Sequence, residues 1–374
     1  MAIEIREVRS RKDLKTFIYL PERIHADHDS WVHPIYMDDW KYFDRKKNKA
    51  FGYCDTILLL ALKDGKVAGR AMGIINHRFN QHRDEKTARF GYLETTEDKG
   101  VLGALLMAVE DWARDKGMTK IVGPYGFSDQ DPEGFLIEGF EHRATIATYC
   151  NFDWMPKYIE EMGYAKDIDW FVYKIDVPKE PPEFYKRIYE RAMKRGTYEV
   201  IEFRKKKEIK PWIRPILSLM NECYMAGNIY GFAPLEDEEM DDLAKRYLPV
   251  LDPRFVKAVR KGDEVVAFII AMPDMTEGIR KARGRLLPFG FLHILRAAKK
   301  TKQLDLLLGA VKEQYRGQGL DVLMGIRVIV AAHEAGYEMM DTHHEMESNV
   351  KVRAEMERMG GQIYKKYRAF QKAL

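Results

Sequence analysis

Cysteine is scarce in this chain of 374 residues: Cys54, Cys150 and Cys223 stand far apart, with no Cys-x-x-Cys pair and no even-numbered framework. That excludes a disulfide-stapled scaffold and a cysteine-built metal site, and it suits a reducing, cytoplasmic compartment. Long apolar runs are absent too, none approaching the roughly 20 residues needed to cross a bilayer. The first fourteen residues alternate Ile3, Ile5 and Val8 with charged side chains and hold no signal-peptide core, so nothing points to export. Charge of one sign is also missing: 62 Lys and Arg stand against 58 Asp and Glu, a net of +4. So small a balance makes no case for a nucleic-acid partner, and no feature makes one for a membrane partner. Aromatics at 12% and 15 prolines exclude a disordered composition. What is present, 46% hydrophobic and 32% charged residues over a length too great for one ordinary core, describes two soluble domains.

The order of patterns is mixed α/β. Asp64-Gly65, set between apolar runs at 57–63 and 67–76, is a hairpin signal. A strand at 89–94, an amphipathic helix over 101–116 stopped by Gly117, and a strand at 120–123 follow. A helix over 155–162, ended by Gly163, leads to an aromatic strand at 170–175. Pro178, Pro181 and Pro182 then mark a boundary. Beyond it the pattern repeats: a strand at 200–203, a helix over 209–224, a strand at 264–272, and a helix after Gly319 that ends at Gly336. Glu161-Met162-Gly163 and Arg358-Met359-Gly360 sit half a chain apart. The expected architecture is an α/β (α+β) protein with mixed sheets in two tandem copies: residues 1–177, a linker with a helix over 178–198, and residues 199–374. Each copy has one long insertion, after Gly123 in the first and between Pro273 and Gln303 in the second. The charge runs Lys205-Lys206-Lys207 and Lys299-Lys300 with Lys302 read as solvated surface.

Residues 304–332 carry the chemistry. An apolar strand to Val311 runs into Lys312-Glu313-Gln314-Tyr315-Arg316-Gly317-Gln318-Gly319 and then an apolar helix from Leu320. Two glycines let the backbone bend so that helix-start N–H groups point at an anion, with the Arg316 fork beside them. A dinucleotide fingerprint fails because Val322 stands where a small residue is required. No NTPase phosphate loop and no Gly-x-Ser-x-Gly elbow occurs. His25-x-x-His28 lacks a second ligand cluster and reads as surface histidines near a helix end, so no metal is expected. His343 and His344, adjacent on a strand, would point to opposite faces.

Gln314-x-x-Gly317-x-Gly319 resembles the pyrophosphate loop of the GNAT superfamily of acyl-CoA-dependent N-acyltransferases. The family's succeeding strand, Asn, helix and Gly are similar to residues 338–345, Asn349, the stretch 350–359 and Gly360. Glu347-x-Asn349, Met359-Gly360-Gly361-Gln362-x-Tyr364 and, in the first half, Gly123-Pro124-x-Gly126-Phe127-Ser128 look like a bacterial family of tandem GNAT proteins. The resemblance implies that acetyl-CoA or another acyl-CoA is the co-substrate. Its arm would lie along Ala310, Val311 and Lys312. Gln314, Tyr315, Arg316, Gly317, Gln318, Gly319 and Leu320 would hold the pyrophosphate, with Asn349 as the motif residue. Acyl transfer to an amine needs a base, an oxyanion donor and a proton for the thiolate. Glu313, Glu345 and Glu347 are candidate bases, and a backbone N–H near Lys312 is a candidate donor. The family's usual tyrosine acid falls on Met356, which leaves Tyr364 and Tyr367 as candidates. The acceptor would be a small-molecule amine or a peptide amine. A non-catalytic acyl-CoA-binding protein is the alternative; an aminoacyl-tRNA-dependent transferase fits less well, since the loop matches the CoA signature. In the first copy, Asp98 and its neighbours stand where pyrophosphate would approach, so that copy is read as degenerate. The polar loop with Ser128, Asp129, Asp131 and Glu133 reads as solvated, or else as a substrate wall or interdomain contact.

Overall fold

Asp64 and Gly65, at φ 50° and 78°, turn the chain between two long strands, a geometry that follows the strands' own twist. The computed structural model describes residues 2–194, 197–227 and 229–374. In chain order the strands are β1 Ile3–Glu7, β2 Cys54–Lys63, β3 Lys66–Asn76, β4 Thr87–Thr95, β5 Lys120–Gly123, β6 Phe135–Glu138 and β7 Ala165–Asp176. The second half supplies β8 Glu199–Glu202, β9 Val256–Lys261, β10 Glu264–Pro273, β11 Gln303–Val311, β12 Met339–Asp341, β13 Glu345–Met346 and β14 Gln362–Ala373.

The chain divides by contact into two units. Unit 1 holds Met1–Phe171, Thr276–Ile294 and Tyr364–Leu374; unit 2 holds Val172–Met275 and Leu295–Ile363. Strand order in unit 1 is β1-β2-β3-β4-β5-β14, with β6 also on β14; every pairing is antiparallel except β4 with β5. Unit 2 repeats that order as β8-β9-β10-β11-β12-β7, parallel only at β11 with β12. Each sheet is therefore finished by the last strand of the other sequence copy. Residues 174–176 of β7 pair with β12, and residues 370–373 of β14 pair with β5. The boundary at 177 separates the copies along the sequence, whereas the units are set by this strand exchange.

In unit 1 the helix Lys99–Asp115 lays Val101, Leu102, Leu105 and Val109 on Leu59, Ala61, Ala71 and Phe90 of β2 to β4. That helical spacing puts one apolar stripe on the sheet. In unit 2 alternate strand residues feed opposite faces. Ala258 and Phe268 meet Ile216, Leu219 and Met220 of helix Ile213–Ala226, while Val259 and Ala267 meet Leu320, Leu323 and Met324 of helix Leu320–Glu334. The expected linker holds helix Glu183–Lys194, whose Tyr185 and Ile188 pack on Val322 and Ile326; residues 195 and 196 of that linker lie outside the described residues. Part of the second copy's insertion joins unit 1, where Arg285 grips both oxygens of Glu22 at 3.1 and 2.9 Å.

Candidate functional site

β11 and β12 pair at only three positions, Gln303 with Met339, Leu304 with Met340 and Asp305 with Asp341. β11 runs on to Val311 bonded to β10, while β12 stops, so the two parallel strands part company. The Lys312 N–H donates to Val266 O at 2.9 Å, which fixes the phase of the ladder. Because bonding groups alternate along a strand, Lys312 and Ala310 turn theirs to β10, and Val311 and Gly309 turn theirs to the open edge. Of the three arm-binding positions expected, Val311 turns its backbone groups to the open edge, as Gly309 also does. Strand alternation would have found it once one ladder bond was known. The Lys312 N–H is committed and is no oxyanion donor.

Past Val311 a short turn, Glu313–Tyr315, leads to Gly317 at φ 74° and Gly319 at φ 83°. Those left-handed angles penalise a side chain at either position, and a Cβ on Gly319 would also stand 2.9 Å from the Ile188 side chain. Gly319 precedes helix Leu320–Glu334 with no side chain to cap it, so the first-turn N–H groups are presented to an anion. Arg316 Nε donates to the open-edge carbonyl of Val311 at 3.2 Å, and Gln318 is held by the Tyr198 hydroxyl and the Gln314 carbonyl. Hydrogen bonds to Glu264 and then Glu222, at 2.6 and 3.0 Å, raise the Lys312 ammonium above its ordinary value. Tyr315 donates to the same Glu264 at 3.2 Å.

The candidate bases separate clearly. Glu313 is exposed on its turn, and the Glu347 carbonyl accepts from Arg353 at 3.0 Å. Glu345 is half-buried, and loss of hydration pushes its carboxyl up to about 8 against the opposing hydrogen bond from Asn349 Nδ2 at 3.4 Å. The motif asparagine thus orients a carboxylate whose raised proton affinity suits a base near neutral pH. The expected strand over 338–345 is broken: β12 ends at Asp341, and His343 adopts φ 58°. His343 and His344 lie in that break with ring centroids 5.4 Å apart, and strand alternation does not apply to them. Tyr364 and Tyr367 belong to unit 1, while Glu345 belongs to unit 2; Tyr367 is fully buried in its strand. Within unit 2 the buried Tyr173 instead approaches the helix Val350–Arg358 that carries Met356, donating to Glu357 at 3.0 Å and accepting from Arg353 at 3.1 Å. Its only signal in the sequence was the aromatic strand.

Unit 1 repeats the splay and fills it. β4 and β5 pair only from Thr87 with Lys120 to Arg89 with Val122. Tyr125 N–H then donates to Phe90 O at 2.8 Å, and Tyr92 N–H to the Tyr149 hydroxyl at 2.8 Å. The start of helix Lys99–Asp115 is occupied by its own anion, since Asp98 accepts from Gly100 N–H at 3.0 Å and Val101 N–H at 3.1 Å while ion-pairing with Lys63. The loop over 127–133 is packed inward, contrary to a solvated reading. Asp131 accepts from Tyr42 and from Phe127 N–H, both at 2.7 Å, the Glu133 carboxylate takes the Tyr125 hydroxyl, and Arg89 donates to Phe127 O at 2.9 Å. Burial raises Glu133 to about 8 and Asp129 well above the carboxylate range. A Cβ at Gly91 would stand 2.1 Å from the Tyr125 carbonyl oxygen. Gly91→Ala is therefore expected to cost about 1–3 kcal/mol by overpacking, read as a lower urea midpoint at unchanged slope.

The histidine pair is not on the surface either. His25 is 2% exposed, stacks parallel to the rings of Trp31 and Phe152, and shares Nε2 with Glu94 at 2.9 Å and Nδ1 with His28 at 2.9 Å. Burial, then His25, lowers the affinity of His28 for a proton. Among the described residues no group of three His, Cys, Asp or Glu is placed to hold a metal ion, and no helix is long and apolar enough to cross a membrane.

No family model matches the chain. Bacterial ceramide synthase of Caulobacter vibrioides is 29% identical over 374 residues, 98% of this chain and 96% of that protein. Protein YghO of Escherichia coli is 24% identical over 383 residues, 99% of this chain and 95% of that protein. Among solved structures, a tandem GNAT protein from the clavulanic acid biosynthesis pathway matches at a TM-score of 0.55 and 11% identity, covering 100% of this chain and 98% of that one. Two units with one internal parallel strand pair each, and a glycine-started helix after the splay in unit 2, give this chain the GNAT fold in its tandem form.

Proposed function

We propose that the protein is an acyl-CoA-dependent N-acyltransferase whose unit 2 binds the acyl donor. The observation that carries this reading is the open edge of β11, which leads through a short glycine turn to a helix start that no side chain caps. Val311 and Gly309 would hold the amide-bearing arm, Arg316 and the N–H groups from Leu320 the pyrophosphate, and Glu345 would take the proton of the attacking amine. The new carbon–nitrogen bond forms as the carbon–sulfur bond breaks, and the proton lost by nitrogen is returned to the leaving thiolate.

Acetyl-CoA is a short donor that this reading admits. The relative named as a ceramide synthase supports a longer one, because a ceramide is an amide of a fatty acyl group on a long-chain amino alcohol. A thiol-release assay with acetyl-CoA and a long-chain acyl-CoA, run against small amines, peptide amines and a long-chain 2-amino diol, tests this. Thiol should appear only when the right amine is present. Calorimetric binding of donor without release across the panel would favour the binding-only reading that Met356 motivates; failure to bind either donor would sink both.

A further inference from the structure

Helix Gly290–Lys300 carries its large apolar residues on the outside. Gly290 and Ile294 are buried and Ala297 and Ala298 half-buried, whereas Phe291, Leu292 and Leu295 are exposed at 43%, 38% and 44%. The turn before it adds Leu287 at 75% and Phe289 at 68%. Bonds from Phe291 N–H to Leu286 O at 2.9 Å and from Leu292 N–H to Phe289 O at 3.0 Å hold that turn, so a fixed backbone presents both side chains. Among the described residues, five of the twelve exposed large hydrophobics fall within Leu287–Leu295, and the rest are scattered. Single exposed hydrophobics are ordinary, but a contiguous patch marks an interaction surface.

Its charge says what the surface meets. From Gly278 to Leu304 the chain has eight Arg or Lys and no Asp or Glu, in a protein with a net charge of only +4. Glu277 answers Arg280 and Lys281, and Glu22 answers Arg283 and Arg285. Arg296, Lys299 and Lys300 make no ion pair among the described residues. Reading Lys299 and Lys300 as ordinary solvated surface leaves the adjoining apolar face unexplained. A second copy of this chain fits poorly, because a two-fold contact sets like residues against like and this stretch offers no carboxylate to its own cations. An anionic bilayer satisfies both features.

We propose that the Leu287 turn and the outer face of helix Gly290–Lys300 form an interfacial anchor that seats the protein on an anionic lipid surface. Leu287, Phe289, Phe291, Leu292 and Leu295 enter the headgroup boundary, and Arg296, Lys299 and Lys300 meet lipid phosphates. At eleven residues the helix is far short of a span and lies in the membrane plane. The anchor goes beyond the acyl-transfer reading and does not depend on it, because its test reads binding and not turnover.

Flotation of the full chain with vesicles provides that test. The protein should float with vesicles of phosphatidylcholine mixed with phosphatidylglycerol, much less with phosphatidylcholine alone, and be released by salt. Leu287→Glu with Phe289→Glu should abolish flotation. Lys299→Ala with Lys300→Ala should weaken it about thirty-fold at about 1 kcal/mol per lysine. All four side chains are exposed, so an unchanged thermal midpoint verifies that each variant folds. Native protein left at the bottom of the gradient with both vesicle types overturns the anchor, as does flotation unaffected by the double glutamate change. A dimer that the glutamates dissociate, in protein that ignores vesicles, assigns the face to a second copy instead.

Discussion

Gly317→Glu is expected to abolish acyl-CoA binding by at least about a hundredfold in Kd while leaving the fold intact, as measured by calorimetry beside thermal denaturation. A carboxylate there sits one turn from the helix start and meets the pyrophosphate as a like charge, and an uncompensated pair of this kind costs several kcal/mol once water is excluded. The left-handed φ of 74° adds about 1–2 kcal/mol of backbone strain, yet nothing lies within 4 Å of the position a Cβ would take, so the unit absorbs the change. Gly319→Ala makes the contrast: its Cβ would press on the Ile188 side chain at 2.9 Å, so lost binding and lost stability should arrive together. A Gly317→Glu variant that binds acyl-CoA like the native protein would remove the cradle from the proposal.

Glu345→Gln is expected to lower kcat by about a hundredfold or more with little change in the KM for acyl donor, the signature of a lost general base. Native kcat/KM should rise with pH and level off above about 8, because the carboxyl must be ionised to accept a proton. The glutamine variant should lose that inflection. Stability gives an independent reading with the opposite sense. A carboxyl whose folded value is raised from the ordinary 4.5 to about 8 favours the folded state while protonated, and that advantage is lost as pH climbs between those values. Glu133, also near 8, contributes in the same window, so the discriminating quantity is the difference between native and variant. The thermal midpoint of Glu345→Gln should fall less between pH 5 and 9 than that of the native chain, as about one fewer proton is released. Identical profiles would remove Glu345 from the role of base.

Local chemistry was legible in the sequence where one turn decides the outcome. Asp64-Gly65 announced its hairpin, and Gly317 and Gly319 announced a helix start without a cap, because positive φ favours particular residues and those residues were present. Asn349 was legible as a motif position; that it donates to Glu345 was not, although only four residues separate them, because the expected strand breaks at His343, just before Glu345. Long-range pairings stayed hidden. His25 meets Glu94 across 69 residues, and no local pattern distinguishes it from a surface histidine at a helix end. The loop around Asp131 looked solvated because its residues are polar, but polarity is compatible with burial where hydroxyl and backbone donors answer a carboxylate, as Tyr42 and Phe127 do for Asp131 and Tyr125 does for Glu133. Likewise, the apolar turn at Leu287 was counted as part of an insertion, since exposure is a property of packing and composition does not record it.

The exchanged final strands bear on inheritance. Asp98 fills the helix start of the first copy with the chain's own carboxylate. Yet residues 174–176, encoded there, close the sheet that carries Gly317 and Gly319, and residues 370–373 repay the debt at β5. Neither half of the coding sequence spells a finished sheet. A lineage could not shed either copy without leaving the other unit one strand short, and a cut at the apparent domain boundary would part each unit from its last strand.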